Sequence, residues 1–338
     1  MGAGVGYASD VDNALTDVAG LTVGHATDAA LGSGVTAIVF NQPAMASVCV
    51  LGGAPGGRDI EMLDPARSVE RVDAIVLSGG SAYGLDAAGG VQAWLRAAGR
   101  GAMFAGQRVP LVPQAILFDL ANGGDKDWGR FSPYRELGWA AADAGGGDVR
   151  LGSVGAGAGA TTATCKGGLG SASAVTSAGH TIAAMVAVNA LGSATIGGGP
   201  RFWAAPFEVA GEFGGLGLPP AFSAADLALR SKLGNAPATT IGLVVTDAVL
   251  TKAQAHRLAV MAHDGLARAV QPAHAPMDGD TMFAASTERR PLGDAAFELL
   301  ELGHRAAQVM ARAIARGVFE AAALPHAGAQ PAWRDLFG

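Results

Sequence analysis

Glycine constrains this chain more than any other residue type. It fills 51 of the 338 positions, against about 24 for an average usage near 7%. The glycines follow no collagen period, and they alternate with Ala, Val, Ile and Leu instead of Ser and Gln. That pattern describes closely approaching backbones and turns in a folded protein, not a disordered tract. With aromatics at only 6%, layers of such a chain must lie close together to exclude water. Burial between subunits would help stabilise so thin a core, so a homo-oligomer is expected, with a tetramer favoured.

The remaining composition narrows the function class. Half of the residues are apolar and 15% are charged, with a net charge of −6. No basic stripe is available to neutralise phosphates, which argues against nucleic acid as a partner. No apolar run is long enough to span a bilayer, and no membrane association is expected. The opening stretch, MGAGVGYASDVDNALTD, carries neither a basic n-region nor an apolar h-region, so no secretory signal is expected. Cys49 and Cys165 are isolated and form no metal spacing, which suits a reducing cytoplasm.

The pattern along the chain reads as helices bracketing a strand-rich middle. Val35–Phe40 and Ser47–Leu51 are two strand-like runs with turn residues Asn41, Gln42 and Pro43 between them. Asp73–Leu77 is a further strand, leading through Ser78-Gly79-Gly80-Ser81 into a helix from about Leu85 to Ala98. Val109–Leu120 reads as extended, and a short helix is expected near Leu137–Ala144. Strands recur at Leu169–Val175, Thr181–Val188 and Thr240–Val245. Thr251-Lys252-Ala253-Gln254 is a capping-box pattern opening a helix with Ala255, Leu258, Ala259, Ala262, Leu266, Ala269 and Val270 on one face. A last helix spans about Asp294 to Phe319 with Phe297, Leu300, Met310 and Ile314 inward. No Pro/Ser linker or charge block divides the chain. The reading is a single α+β domain over residues 1–338, layered helix–sheet–sheet–helix.

Several motifs invite a chemical reading. Val154–Ala160 satisfies the letter of G-x-G-x-x-G/A, but the glycines lead into Thr161-Thr162-Ala163-Thr164, a poor helix. No Asp or Glu follows before Glu208 to hold a ribose, so a dinucleotide cofactor is not expected. His263, Asp264, His274, Asp278 and Asp280 offer oxygen and nitrogen ligands without any tight ligand spacing, and no metal is expected either. Lys166, the one lysine of the carboxylate-free tract, is either an ordinary exposed loop lysine or an ammonium set beside a reaction centre. Asn189 closes a buried apolar strand, as a satisfied cap or as a donor aimed at a ligand oxygen. Thr239 stands where the turn cluster Gly234-Asn235-Ala236-Pro237 meets a rigid strand, either as a plain strand former or with its hydroxyl facing what the loop covers.

Taken in order, these stretches resemble the DmpA family: L-aminopeptidase/D-esterases, β-aminopeptidases and nylon-oligomer hydrolases. The matching segments are Leu51–Gly56, Leu77–Leu85, Gly157–Ser173 around Lys166, Asn189, Thr239–Ile241 and Met277–Phe283, spanning nearly the whole chain. The resemblance implies an N-terminal-nucleophile-hydrolase fold and a precursor that cuts itself between Ala238 and Thr239 into residues 1–238 and 239–338. Thr239 matches the family nucleophile, whose freed α-amine, with a reference pKa of about 7.7–8.0, would serve as its base. By the same resemblance Lys166 lies beside the nucleophile, Asn189 is an oxyanion donor, and Asp278 and Asp280 position the nucleophile and its new amine. Ser81, Tyr83 and Phe118 match substrate-binding positions. Two departures stand out: Ala238 behind Pro237, where the family often has Asn or Gly, and Phe118, where several members have tyrosine. The implied activity is hydrolysis of short amino-acyl amides or peptides. Hydrolysis of 6-aminohexanoate oligomers, a related acyl transfer, and a non-catalytic relative of the fold are the alternatives.

Overall fold

A computed structural model describes residues 12–232 and 238–338 of the chain. The turn cluster 234–237 therefore lies outside the described residues. The strands are β1 (Leu21–Asp28), β2 (Ser33–Val50), β3 (Gly57–Arg58), β4 (Arg71–Ser78), β5 (Ala102–Phe104), β6 (Gln107–Val109), β7 (Gln114–Ile116), β8 (Leu169–Val175), β9 (Thr181–Asn189), β10 (Thr239–Ala248) and β11 (Thr281–Arg290). The helices are α1 (Ser81–Gly84), α2 (Ala87–Ala97), α3 (Tyr134–Asp143), α4 (Lys252–Ala269), α5 (Ala295–Phe319) and α6 (Trp333–Phe337).

Among the described residues one continuous hydrogen-bond ladder runs β3-β7-β4-β2-β11-β10-β9-β8, with β1 added beside β2. Strand β2 joins its two halves. Its first part pairs with β1 and β4, and its last part, Met45–Val50, pairs with β11. The even-numbered residues Ile38, Phe40, Ala44 and Ala46 enter a middle core shared with Met185, Leu243 and Phe283 of the other half. Odd-numbered Val35, Ala37 and Val39 instead meet Ala87, Val91 and Ala141 of α2 and α3. On the other half, Ile182, Ala184, Val186 and Val244 meet Leu258, Ala262, Met310 and Ile314 of α4 and α5. Because strand side chains alternate, each half-sheet feeds one helix layer and the shared middle. This is the helix–sheet–sheet–helix sandwich expected from the sequence.

Two local expectations are corrected. Asn41, Gln42 and Pro43 do not end a strand; β2 passes through them as a single strand. They are exposed, and the register with β4 shifts between Val39 and Ala44. A proline, lacking an N–H, is tolerated at such a break in the ladder. In α5, Met310 and Ile314 are buried, but Phe297 and Leu300 are each 60% exposed. Burial of that helix begins at Leu302, so its first turns run beyond the packed layers.

The capping box at Thr251 forms as written, with the Thr251 hydroxyl accepting from the Gln254 N–H and the Gln254 side chain accepting from Thr251 N–H. Every one of the seven face residues expected from Ala255 to Val270 is buried. His256 and His263 on α4 reach across to the carbonyls of Val48 and Cys49, tying the helix to the end of β2 at 2.9 and 3.0 Å.

Candidate active site

Thr239 is the first residue of β10, and the antiparallel register sets it opposite Asn189, the last residue of β9. Its parallel neighbour β11 is preceded by the Asp278-Gly279-Asp280 turn, so strand pairing brings all four positions to one end of the sheet. Thr239 is buried at 4% exposure. Its hydroxyl donates to the carbonyl oxygen of Ala238 at 2.5 Å. The same oxygen accepts the Gly279 N–H at 2.9 Å. A carbonyl gripped by two donors is polarised towards attack at its carbon.

Glycine is needed at 279 for room: a Cβ there would stand 2.6 Å from the Thr239 hydroxyl oxygen. Gly52 is needed for the same reason one shell out, since its Cβ would meet the Asp280 nitrogen at 2.2 Å. The Gly52–Ala54 loop can thus close over the turn, where Ala54 N–H donates to the Asp278 carbonyl at 2.7 Å.

The carboxylates on this turn are held separately. Asp280 accepts the Thr240 N–H on Oδ1 at 2.9 Å, and on Oδ2 the His274 N–H at 2.9 Å, with His274 Nδ1 also 2.9 Å away. Asp278 accepts longer bonds from Leu191 N–H (3.3 Å) and Ala275 N–H (3.2 Å). Burial, with Asp280 as a second and repulsive cause, pushes the Asp278 carboxyl up to about 6. His263 packs edge-on against His274, and burial pulls it down to about 4.

The opposite flank is basic. Lys166 is buried, not an exposed loop lysine, and donates to the carbonyls of Gly157 (3.0 Å) and Gly167 (2.7 Å). Burial lowers its ammonium to about 7, with Asp119 pulling the other way. Asn189 donates its amide to the Phe118 carbonyl at 3.0 Å and accepts on Oδ1 from Thr161 N–H at 3.0 Å. Phe118 shares a small cavity of about 130 Å³ with Asp119, Gly159 and Thr161. Ser81 and Tyr83 sit on the α1 turn and do not line that cavity. The Ser81 N–H donates to the Leu117 carbonyl at 2.9 Å, and the Tyr83 ring, 54% exposed, leans on Trp128.

A profile of peptidase family S58 matches residues 13–330. The chain belongs to this family. An uncharacterized aminopeptidase of Mycobacterium tuberculosis is 42% identical over 347 residues, covering 96% of this chain and 98% of that protein. The 6-aminohexanoate-oligomer endohydrolase of Paenarthrobacter ureafaciens matches only 50 residues, 15% of this chain and 14% of that enzyme, at 38% identity. Among solved structures, a Burkholderia sp. β-aminopeptidase superposes with a TM-score of 0.70 at 22% identity, over 95% of this chain and 90% of that one. The L-aminopeptidase D-Ala-esterase/amidase of Ochrobactrum anthropi, described as a new variant among the Ntn hydrolase fold, gives 0.70 at 21%, over 94% and 88%. The two structural likenesses establish the fold. The family and the aminopeptidase relatives mark this S58 chain as a hydrolase of amide bonds.

Two residues of this cluster escaped the sequence reading. Lys232 donates to the Asn189 side-chain oxygen at 2.9 Å and to its backbone oxygen at 3.2 Å. Burial lowers Lys232 to about 7, against the pull of Asp278 and Asp119. Asp119 is buried beside the same cavity, accepting the Ser33 hydroxyl at 2.6 Å and the Gly80 N–H at 2.8 Å. Burial raises its carboxyl above the usual range. Asp119 adjoins Phe118 and could have been flagged as an acid within a matched segment. Lys232 belongs to no motif, and only its place just upstream of the turn cluster hinted at it.

Proposed function

We propose that this S58 peptidase is made as a precursor that cuts itself between Ala238 and Thr239, and then hydrolyses short amino-acyl amides or peptides through Thr239. The observation that carries the reading is the double hold on the Ala238 carbonyl by the Thr239 hydroxyl and the Gly279 N–H. In the precursor, the Thr239 oxygen attacks the Ala238 carbonyl carbon, and the peptide nitrogen takes a proton as the C–N bond breaks. Water then hydrolyses the ester, leaving an Ala238 carboxylate and a free Thr239 amine. Positioning supplies much of the rate in such an intramolecular step.

In turnover the new α-amine, titrating near neutrality, accepts the hydroxyl proton as the oxygen attacks the substrate carbonyl. Asp278 and Asp280 flank the place where that amine appears. Asn189 is the donor to the developing oxyanion, and Lys166, bearing an ammonium lowered to about 7, favours the charged intermediate. Lys166→Met is therefore expected to impair both processing and turnover. Ser81, Tyr83 and Phe118 line the substrate side in this reading. The phenyl ring at 118 offers no hydroxyl to the substrate, so the preferred amide should differ from that of relatives with tyrosine there. We also read the chain as a cytoplasmic homo-oligomer, a tetramer by preference, on its free thiols at Cys49 and Cys165 and its thin Gly/Ala core; light scattering of the purified protein tests the assembly.

Mass spectrometry of purified protein is the direct test of the cut. It should find a 100-residue fragment beginning Thr-Thr-Ile-Gly, the length of residues 239–338. A chain that stays intact yet hydrolyses amides at full rate would sink the N-terminal-threonine mechanism. A panel of β-alanyl, D-alanyl and 6-aminohexanoyl amides then fixes the substrate, and a product that requires an added amine would turn the reading to acyl transfer.

A further inference from the structure

A cavity of about 290 Å³ opens between the Ser193–Gly197 stretch and residues 226–230, closed at its sides by Trp203 and Pro272. Its floor is hydroxylated: Ser193 and Thr195 lie 3.2 Å apart, and Thr164 reaches Ser193 at 2.9 Å. Arg230 lines it, and its Nε is fully buried without a hydrogen-bond partner among the described residues. Asp226, the acid in the lining, accepts from the Ser223 N–H and hydroxyl at 2.8 and 2.7 Å, and the Arg230 charge also favours its ionised form. Arg230 is half-buried overall, but a buried Nε–H without an acceptor is unfavourable, and such a donor calls for a ligand to complete it. The planar fork of Arg matches a carboxylate.

The cavity is joined to the reaction centre through two short stretches of chain. Lys232, two residues past Arg230, contacts Asn189, and its N–H donates to the Leu191 carbonyl at 3.0 Å. Ser193 stands two residues past Leu191, whose N–H reaches Asp278. From Asn189, opposite Thr239, to Ser193 is four residues, at most about 14 Å of extended chain. That is the reach of a peptide of a few residues.

We propose that this cavity is a carboxylate subsite of the peptidase, in which Arg230 holds an anionic group of a short peptide whose amide is cleaved at Thr239. It rests on the self-processing, Thr239-dependent reading. The carboxylate is either the peptide's C-terminus or an acidic side chain near it. A substrate with a free acid is then favoured over the same substrate with that charge removed.

The test compares trialanine, trialaninamide and alanyl-glutamyl-alaninamide as substrates of wild type, Arg230→Met and Arg230→Lys. One of the two carboxylate-bearing peptides should exceed trialaninamide in kcat/KM by about 10–100-fold in wild type, chiefly through KM, the scale of one charge-assisted contact. Which peptide shows the preference identifies the source of the carboxylate. Arg230→Met should bring the ratio close to one, and Arg230→Lys should keep part of it. The readout is a ratio within one preparation, so partial loss of folded protein lowers all rates together. A wild-type ratio near one, or a ratio that survives Arg230→Met, overturns the subsite. If wild type cleaves none of the three, and none of the β-alanyl, D-alanyl and 6-aminohexanoyl amides either, the amide-hydrolysis reading is what fails. Calorimetric titration of wild type and Arg230→Met with the same peptides then decides: charge-selective binding lost in the variant supports the subsite, and unselective or undetectable binding overturns it.

Discussion

The two flanks of Thr239 are built in different ways. On the acidic flank, the Asp278-Gly279-Asp280 turn touches the Ala238–Thr239–Thr240 backbone directly, through the Gly279 N–H on the Ala238 carbonyl and Asp280 on the Thr240 N–H. On the basic flank, Lys166 binds backbone carbonyls, Lys232 binds Asn189, and the Asn189 amide faces Phe118. The first arrangement is already closed around a peptide bond of the chain itself. The second keeps its donors tied to neighbours, and under the proposed reading they would have to be released to serve an incoming substrate. Under the proposed reading, the contrast teaches that one site can hold separate devices for making the nucleophile and for using it.

The comparison can be broken in several places. Thr239→Ala removes what both flanks serve: the chain should stay at 338 residues, and amide hydrolysis should fall on the order of 10⁶-fold, the scale of nucleophile removal elsewhere. Retention of about a hundredth of the wild-type rate would remove Thr239 from the chemistry. Asn189→Ala should lower kcat by about 10²–10³-fold as an oxyanion donor is lost, while the mass spectrum still records the cut. Equal losses in both would mean that the flanks are not distinct. Gly279→Ala should give the reverse bias, because a methyl 2.6 Å from the Thr239 oxygen displaces the attacking group. The cut should slow by roughly 10²-fold, the effect of a misplacement near 1 Å, followed by electrophoresis over time.

The smallest expected effect is on stability. Lys166 and Lys232, lowered to about 7 in the fold, bind fewer protons there than in the unfolded chain, where lysine titrates near about 10.4. Stability should therefore rise with pH above 7. Calorimetric melting temperatures should climb between pH 7 and about 8.5 in the uncut Thr239→Ala chain, and climb less when Lys166→Met is added. A flat profile would mean that these ammonium groups are better solvated than their burial implies.

Much of this was legible in the sequence, for identifiable reasons. Helix α4 follows its capping box and apolar spacing because its packed face is continuous from Ala255 to Val270. The pairing of Thr239 with Asn189 was not derivable from either segment, since register emerges only when β9 and β10 meet. The continuity of β2 is not readable from the sequence, because Asn41-Gln42-Pro43 has turn chemistry and the pairing with β4 and β11 resumes only beyond them. Phe297 and Leu300 fit the period of α5, but periodicity does not say where a neighbour stops. Lys232 was invisible for a related reason: its environment is assembled by Asn189, Asp119 and Asp278, all at least 40 positions away in the chain.

The strand order β2-β11-β10-β9 has a consequence for anyone who handles the protein as parts. A cut after Ala238 would put β10 and β11 in the short piece and β2 and β9 in the long one. The short piece would then be a two-strand wedge gripped on both sides, and the long piece a clamp with a gap in it. Neither could leave without baring two raw sheet edges, the kind of surface that aggregates. Ile241, Leu243 and Phe283, all buried, would go into water with the wedge. One gene with one cut would thus guarantee equal numbers of wedge and clamp, whereas pieces made apart would have to find each other before their open edges found anything else.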